Sequence, residues 1–381
     1  MGIFASIKTW FVLHLLMGYI FILSGLIVNC IMFCTLIIWP FSKTIYRKVN
    51  CYLAYWIWSQ YTFLGQWWSG SDIVLKTNPE DVKYYGKEHA IIILNHKYDI
   101  DWLLGYFLAE RLGILGGSKV YGKEMLKFVP IQGWSWYFTE SVFLKRNWEQ
   151  DRKIIIRDIK NLAEFPVNYW VTILMFCEGT RFTEAKHKAS MKVAKEKGLP
   201  ELKHHLLPRT KGFVLTMQGL KGKIPAIYDC TVGITKSENE PTFMNVVNGK
   251  TFKAELKVRR ITLEEIPTDT DEECSAWLHK LYQEKDEFYD GFLKKGHFDG
   301  ALIEIPKRPW DLLVWLFWAV TLGVPLIYYL IQVLWSGSIY VSGCVVLVIV
   351  FGSVMVRWMI AVTETERGSK YGHRHEEKKE Q

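Results

Sequence analysis

The chain has no C-x-x-C pair, no N-x-S/T sequon and no internal repeat. Its seven cysteines, Cys30, Cys34, Cys51, Cys177, Cys230, Cys274 and Cys344, are odd in number and scattered. That pattern argues against a disulfide framework and for reduced thiols facing cytosol or lipid. The missing sequon agrees with a mainly cytosolic chain. Zinc-finger spacing, a basic zipper and an aromatic RNA-binding signature are also missing, so the net charge of +8 is not read as a nucleic-acid footprint. It suits an acidic lipid surface or a phosphorylated small molecule instead. Low complexity is limited to the tail from about Gly372.

Charge itself is absent from two long stretches. From Thr9 to Ser42 there is no formally charged residue, and about 20 apolar residues suffice to cross a bilayer. The run continues to Ile38-Trp39-Pro40 with no small-residue cleavage site, so it reads as an uncleaved anchor and not as a signal peptide. Leu312 to Val356 is likewise uncharged and is broken near its middle by Ser336-Gly337-Ser338. Two helices joined by a tight turn fit that length. Lys43, Arg47 and Lys48 follow the first span, Lys307 and Arg308 precede the second, and Arg357, Arg367 and Lys370 follow the third. Basic residues favour the cytosolic side, which puts the intervening domain and the C-terminus in the cytosol. The final Lys378-Lys379-Glu380-Gln381 resembles a cytosolic dilysine signal for retrieval to the endoplasmic reticulum, with a solvated charged tail as the plain alternative.

At 381 residues the chain is long enough for one large domain or two small ones, and its 17 Trp and 19 Tyr favour a boundary between membrane and water. Cys51 to Trp68 is aromatic but short for a span. It reads as an interfacial helix, with a buried core helix as the alternative. The expected organisation is an N-terminal anchor (1–42), an interfacial helix (43–72), an α/β domain (73–305), a two-helix membrane hairpin (306–362) and a cytosolic tail (363–381). Within the α/β domain, Ala90 to Leu94, Ser141 to Leu144, Val171 to Cys177 and Ala226 to Val232 are short apolar runs followed by polar or turn residues. Trp148 to Glu164 has helical spacing, with Trp148, Ile155, Ile159 and Leu162 on one face. Strands alternating with helices predict a sheet whose strand ends carry the chemistry.

The richest chemistry lies in Asn95-His96-Lys97-Tyr98-Asp99-Ile100-Asp101, directly after the first of those strands. An alcohol is a poor nucleophile near neutral pH, so acyl transfer to it needs a base and an acid that orients the base. His96 supplies the base. Residues five apart on one helix are about 140° apart, so a His96–Asp101 pair has to straddle a loop and a first helical turn. Asp99 is a rival acid, and Lys97 is expected to point to solvent. No nearby His or Cys completes a zinc site.

The H-x4-D spacing of His96 and Asp101 resembles the glycerolipid acyltransferase family, and Phe176-Cys177-Glu178-Gly179-Thr180-Arg181 looks like that family's E-G-T-R element. Val142-Phe143-Leu144-Lys145-Arg146 is similar to its strand ending in arginine. Leu206 to Phe213 and Ile224-Pro225-Ala226-Ile227 stand in the places of its last two blocks. Order and spacing agree across residues 90 to 230. The flanking apolar segments look like the membrane-bound eukaryotic 1-acylglycerol-3-phosphate acyltransferases of gamma and delta type. Asp99 stands where that subgroup has glutamate, and Ser141 where the family usually has glycine.

The resemblance implies a mixed α/β sheet flanked by helices, an N-terminal membrane anchor and a C-terminal transmembrane hairpin in the endoplasmic reticulum membrane. It implies acyl transfer from acyl-CoA to the sn-2 hydroxyl of lysophosphatidic acid, with no cofactor beyond acyl-CoA as co-substrate, no metal, and membrane lipids as further partners. It selects Asp101 over Asp99 as the partner of His96. Arg181, whose planar fork matches a phosphate monoester, takes the phosphate with Arg146, Gly179 letting the backbone come close; Asn95, Glu178 and Thr180 are further substrate-binding residues, and Lys211 and Gly212 complete an anion pocket. The plain alternatives are a Glu178–Arg181 salt bridge and a solvent-facing Lys211. Phe182 to His205, with six lysines, reads either as a solvated helix or as a patch for coenzyme A phosphates or anionic lipid. Cys177 reads as core, since a covalent acyl-cysteine needs a base beside it. Rival functions are acylation of another lysophospholipid and a non-catalytic membrane-shaping or lipid-sensing protein. An intact His96, Asp101, Glu178 and Arg181 set speaks against the latter.

Overall fold

The structure is a computed structural model that describes residues 7–166, 169–235, 239–335 and 337–362. Ser336 of the expected turn and the tail from 363, with Arg367, Lys370 and the dilysine ending, lie outside the described residues, as does the side chain of Arg357. The chain opens with helices α1 (Phe11–Cys34) and α2 (Lys43–Phe63), then strands β1 (Asp72–Thr77) and β2 (Ala90–Leu94). Helix α3 (Asp101–Leu112), β3 (Ser118–Lys123), α4 (Gln132–Phe138), β4 (Val142–Leu144), α5 (Trp148–Leu162) and β5 (Thr172–Met175) follow. Next come α6 (Glu184–Glu196), α7 (Thr210–Leu220), β6 (Ala226–Ile234), α8 (Phe243–Val247), β7 (Lys253–Thr262), α9 (Asp271–Lys295) and β8 (Ala301–Ile303). Helices α10 (Trp310–Trp318), α11 (Val324–Trp335) and α12 (Ile339–Val362) close the described chain, α10 and α11 being joined by a π-turn over Ala319–Gly323.

The eight strands form one sheet in the order β4-β3-β5-β2-β6-β7-β1-β8. Strands β4, β3, β5, β2 and β6 run parallel to one another. β7 is antiparallel to β6, β1 parallel to β7, and β8 antiparallel to β1. The sheet is therefore mixed, as expected. β2 lies inside it and is covered on both faces, which is why its sequence is an unbroken apolar run. Ile91 and Ile93 join one core with Ile155, Ile159, Phe213 and Leu278 of the helices below, while Ala90 and Leu94 join another with Leu103, Leu104 and Phe107 of α3.

The expected helix at Trp148 starts where the Asn147 side chain accepts the Gln150 N–H at 3.3 Å, and it buries Ile155, Ile159 and Leu162. Burial of each such side chain contributes about 1.5–3 kcal/mol.

The aromatic segment read as an interfacial helix, with a buried core helix as the alternative, packs largely inside the protein. It belongs to α2, which begins at Lys43 and whose Ala54, Ile57 and Trp58 are fully buried in a third core. That core also takes Ile20, Val28 and Met32 of α1, Tyr106 and Ala109 of α3, and Val314 and Trp318 of α10. Its side chains are apolar on more than one face, so the helix sits between the flanking apolar helices and the sheet domain. Polar groups join it to α1: Gln60 Nε2 donates to Ser24 Oγ at 3.0 Å and Asn50 Nδ2 to Thr35 Oγ1 at 2.7 Å. Asn29 of α1 also donates to Ile131 O at 3.2 Å, beside α4. Two helical segments, Phe11–Ile37 and Trp310–Trp335, are long and apolar enough to cross a membrane. The uncharged C-terminal stretch forms two helices, Trp310–Trp335 and Ile339–Val362, rather than one.

Candidate active site

Because β4, β3, β5 and β2 are parallel, their C-terminal ends share one edge of the sheet. Leu144 lies beside Lys123, and Met175 beside Ile93. The residues that follow each strand, Arg146, Lys123 itself, Glu178 to Arg181, and Asn95 with His96, are thereby gathered, the usual place for a ligand in such sheets.

Asp101 is the first residue of α3, so the pair does straddle a loop and a first helical turn. His96 Nδ1 lies 3.2 Å from Asp101 Oδ2. The same oxygen accepts the backbone N–H of Lys97 at 2.7 Å and of Tyr98 at 2.9 Å. An oxygen held by two backbone donors is fixed as an acceptor, so Nδ1 carries its proton and Nε2 is left to act as a base. Burial raises the Asp101 carboxyl well above the usual carboxylate range, and those two N–H groups oppose the rise. Burial, then the charges of Arg181 and Lys186, push the His96 pKa down to about 3, so the ring is neutral at physiological pH. The ring stacks on Phe176 with centroids 4.0 Å apart.

Asp99 is not the partner of His96. Its Oδ1 accepts from Arg181 Nη1 at 2.9 Å, so the rival acid orients the arginine instead. The Glu178–Arg181 salt bridge is likewise not the observed pairing. Glu178 is buried, with Oε1 accepting the His96 N–H at 2.9 Å and Oε2 the Leu206 N–H at 3.1 Å. Burial raises its pKa, against the pull of His205 and those two N–H groups. Expected among the substrate-binding residues, Glu178 here braces the catalytic loop through both oxygens. Asn95 also serves the framework around the loop. It is fully buried and pins β2 to β6, its Oδ1 accepting from Val232 N at 2.8 Å and its Nδ2 donating to Val232 O at 3.3 Å. Thr180 is buried as well.

Gly179 has φ +70°, and a Cβ there would sit 2.8 Å from Arg209 Nε. Its carbonyl accepts from Arg146 Nη2 at 3.3 Å, so only glycine lets two arginines close on this turn. Arg146 itself has φ +64°, an uncommon backbone for a residue with a Cβ. Lys211 is exposed with Nζ 5.0 Å from the centroid of Trp148, and Gly212 lies in the first turn of α7, its carbonyl accepting from Thr216. Lys97 does not point to solvent. It is half-buried, with Nζ 4.3 Å from the Tyr289 centroid and 4.9 Å from that of Phe182. Cys177 is core, and burial pushes its thiol up to about 12.

The sequence reading missed two cations at this edge, Lys123 and Lys186. Burial, with Arg146 and Arg181, lowers Lys123, and burial, with Arg181, Lys123 and Arg146, lowers Lys186. Burial, with Arg209, lowers Arg146. Like charges crowd this edge, which is the electrostatic setting of an anion site. Lys186 was legible: Lys186, Ser190, Met191 and Ala194 recur at helical spacing, and all are buried. Its Nζ donates to Arg181 O at 3.2 Å. Within the 182–205 segment, helix Glu184–Glu196 turns Lys186 inward, while Lys188, Lys192, Lys195, Lys197 and Lys203 are exposed. Lys123 needed the strand order to be found.

Comparison with known proteins agrees with this geometry. A family model described as Acyltransferase matches residues 74–235, and one described as Acyltransferase C-terminus matches 245–318. The 1-acyl-sn-glycerol-3-phosphate acyltransferase delta of Bos taurus is 51% identical over 373 residues, covering 98% of each chain. The delta protein of Homo sapiens is also 51% identical at the same coverage. The gamma protein of Homo sapiens is 47% identical over 386 residues, covering 100% of each chain. A base and its acid beside a cluster of cations, at nearly full-length identity of this order, place the chain in the 1-acyl-sn-glycerol-3-phosphate acyltransferase family of delta and gamma type, and it belongs to that family as an enzyme.

Proposed function

We propose that this protein moves an acyl group from acyl-CoA to the sn-2 hydroxyl of lysophosphatidic acid. The observation that carries the reading is a neutral His96, held on Asp101 at 3.2 Å, at the same sheet edge as Lys123, Arg146, Arg181 and Lys186. His96 Nε2 takes the hydroxyl proton as the oxygen attacks the thioester carbonyl. The carbon–sulfur bond then breaks, and the imidazolium returns the proton to the coenzyme A thiolate. Asp101 steadies the imidazolium between the two steps. Arg181, oriented by Asp99, and Arg146 and Lys123 bind the phosphate, whose double negative charge relieves the repulsion among them. Most of the rate comes from holding two substrates in line.

Two apolar helical segments long enough to cross a bilayer support a membrane location. The basic residues beside them support a cytosolic active site. The test uses purified full-length protein and a panel of lysolipids with acyl-CoA. His96→Ala lowers turnover by about 10²-fold or more, and lysophosphatidic acid is preferred to lysophosphatidylcholine, whose choline removes the monoester. Near wild-type turnover in the variant removes His96 from the mechanism, and equal use of both lysolipids removes the monoester from recognition.

A further inference from the structure

The groups that hold His96 in place lead away from the site, to a helix that contains none of the sequence motifs. Helix α9 lies within the region matched by the C-terminal family model, yet it packs against strands of the first. Lys285, Asp286 and Tyr289 sit on neighbouring positions of its surface, and each leads to the catalytic loop by a different route.

Lys285 is fully buried and donates to Ile93 O at 3.2 Å and to Cys230 O at 2.6 Å, with Asp229 Oδ1 2.5 Å away. It thereby clamps the end of the strand that leads into His96. Asp286 accepts three donors: the Lys203 N–H at 2.7 Å, the His204 N–H at 2.8 Å and His205 Nδ1 at 2.9 Å. The loop so fixed presents the Leu206 N–H to Glu178, whose other oxygen takes the His96 N–H. Tyr289 pairs its hydroxyl with that of Tyr98 at 2.7 Å and lies under Lys97. The residue three before His96, His96 itself and the two residues after it are all tied, directly or through at most two intermediaries, to a single helix.

We propose that α9 is the positioning element of the catalytic loop, with Asp286 the positioning residue that acts on His96 through the 203–206 loop and Glu178. Glu178 cannot do this alone. It is buried, and its second oxygen depends on Leu206 being where Asp286 holds it. The same arrangement explains why the C-terminal region is not a separable domain: β7, from that region, lies between β6 and β1 in the sheet.

This inference rests on His96 as the base, and the experiment separates the two. Full-length Asp286→Asn, Tyr289→Phe and Glu88→Gln are compared with the parent for kcat, KM and thermal midpoint. Glu88 is the control: its buried carboxylate pairs with Arg260 and Tyr228 and is not part of the catalytic loop. Asp286→Asn is expected to lower kcat by about 10-fold or more, given that misplacement by about 1 Å can cost 10²-fold, with KM for lysophosphatidic acid within about twofold. Combining it with Glu178→Gln adds no further loss, because both lie on one chain of contacts, whereas combining it with Arg181→Lys multiplies the effects. Tyr289→Phe removes one hydroxyl, keeps the buried ring and lowers kcat less, and it carries the test if Asp286→Asn does not assemble. Unchanged kcat in Asp286→Asn and Tyr289→Phe overturns the proposal. So does a kcat that falls in step with thermal midpoint equally in Glu88→Gln. An inactive His96→Ala beside a fully active Asp286→Asn sinks this inference alone, while an active His96→Ala sinks the reading beneath it.

Discussion

Replacing Asp101 by asparagine tests the electrostatic part of the site apart from its geometry. The Lys97 and Tyr98 N–H groups both point at Oδ2, so in Asp101→Asn the amide oxygen, not its NH2, takes that position. The oxygen still accepts from Nδ1 and the His96 tautomer survives. What is lost is the negative charge opposite the imidazolium. Two unit charges about 4 Å apart at an effective dielectric of about 20 interact by about 4 kcal/mol, and about 1.4 kcal/mol is a factor of ten in rate. The retained amide dipole offsets part of this, so kcat falls by about 10²- to 10³-fold. Stability moves the other way. Burial already strains the charged carboxylate, so the neutral side chain leaves the thermal midpoint equal or higher. Initial rates with labelled acyl-CoA in detergent micelles, alongside a thermal melt, give both numbers. Turnover within about threefold of the parent, with the protein folded, would refute charge stabilisation by Asp101.

Three further outcomes are expected. Arg181→Lys keeps a charge but loses the fork held by Asp99, so KM for lysophosphatidic acid rises while that for acyl-CoA stays level; a shift in the acyl-CoA constant instead contradicts the phosphate assignment. His96 is neutral in the folded protein down to about pH 3, whereas the unfolded ring titrates near about 6.5. Between those values the unfolded state binds the extra proton, so His96's contribution to stability is present above about pH 6.5 and is lost on acidification; His96→Gln flattens that dependence in pH-dependent melts, and an unchanged slope sinks the assignment. In sealed microsomes, protease added outside cuts the exposed lysines of α6; protection until detergent is added puts the active site in the lumen.

Legibility followed the physics of each element. β2 and α5 were readable because burial on two faces or on one writes a plain pattern into sequence. β7 carries the alternation of a strand buried on one face in Ala254, Leu256 and Val258 but is no unbroken apolar run, and its Arg259 and Arg260, held by Asp229 and Glu88, interrupt that pattern. β3 was interrupted similarly. Its Lys119 is buried, donating to Thr139 O and lying 4.2 Å from the Phe165 centroid. At the site, His96, Asp101, Arg146 and Arg181 stood out by motif. Asn95 and Glu178 stood out equally but serve the backbone, a distinction that depends on depth in the fold and not on residue type. Lys123 and Asp286 were invisible because strand order and a distant helix bring them in.

The polar seam along α1 has a practical consequence for anyone wishing to make this enzyme soluble. Ser24, Asn29 and Thr35 hydrogen-bond inward, to Gln60, Ile131 and Asn50. Such contacts act as specific glue between helices in lipid. Deleting the first forty residues would therefore not peel away a tether. It would strip one wall from the compartment containing Trp58 and leave the backbone at Ile131 without its donor. The outward side chains Ile22, Leu26, Ile27 and Phe33 are the ones to exchange for polar residues, since a detergent-free enzyme has to keep the helix and change only what it shows to the bilayer.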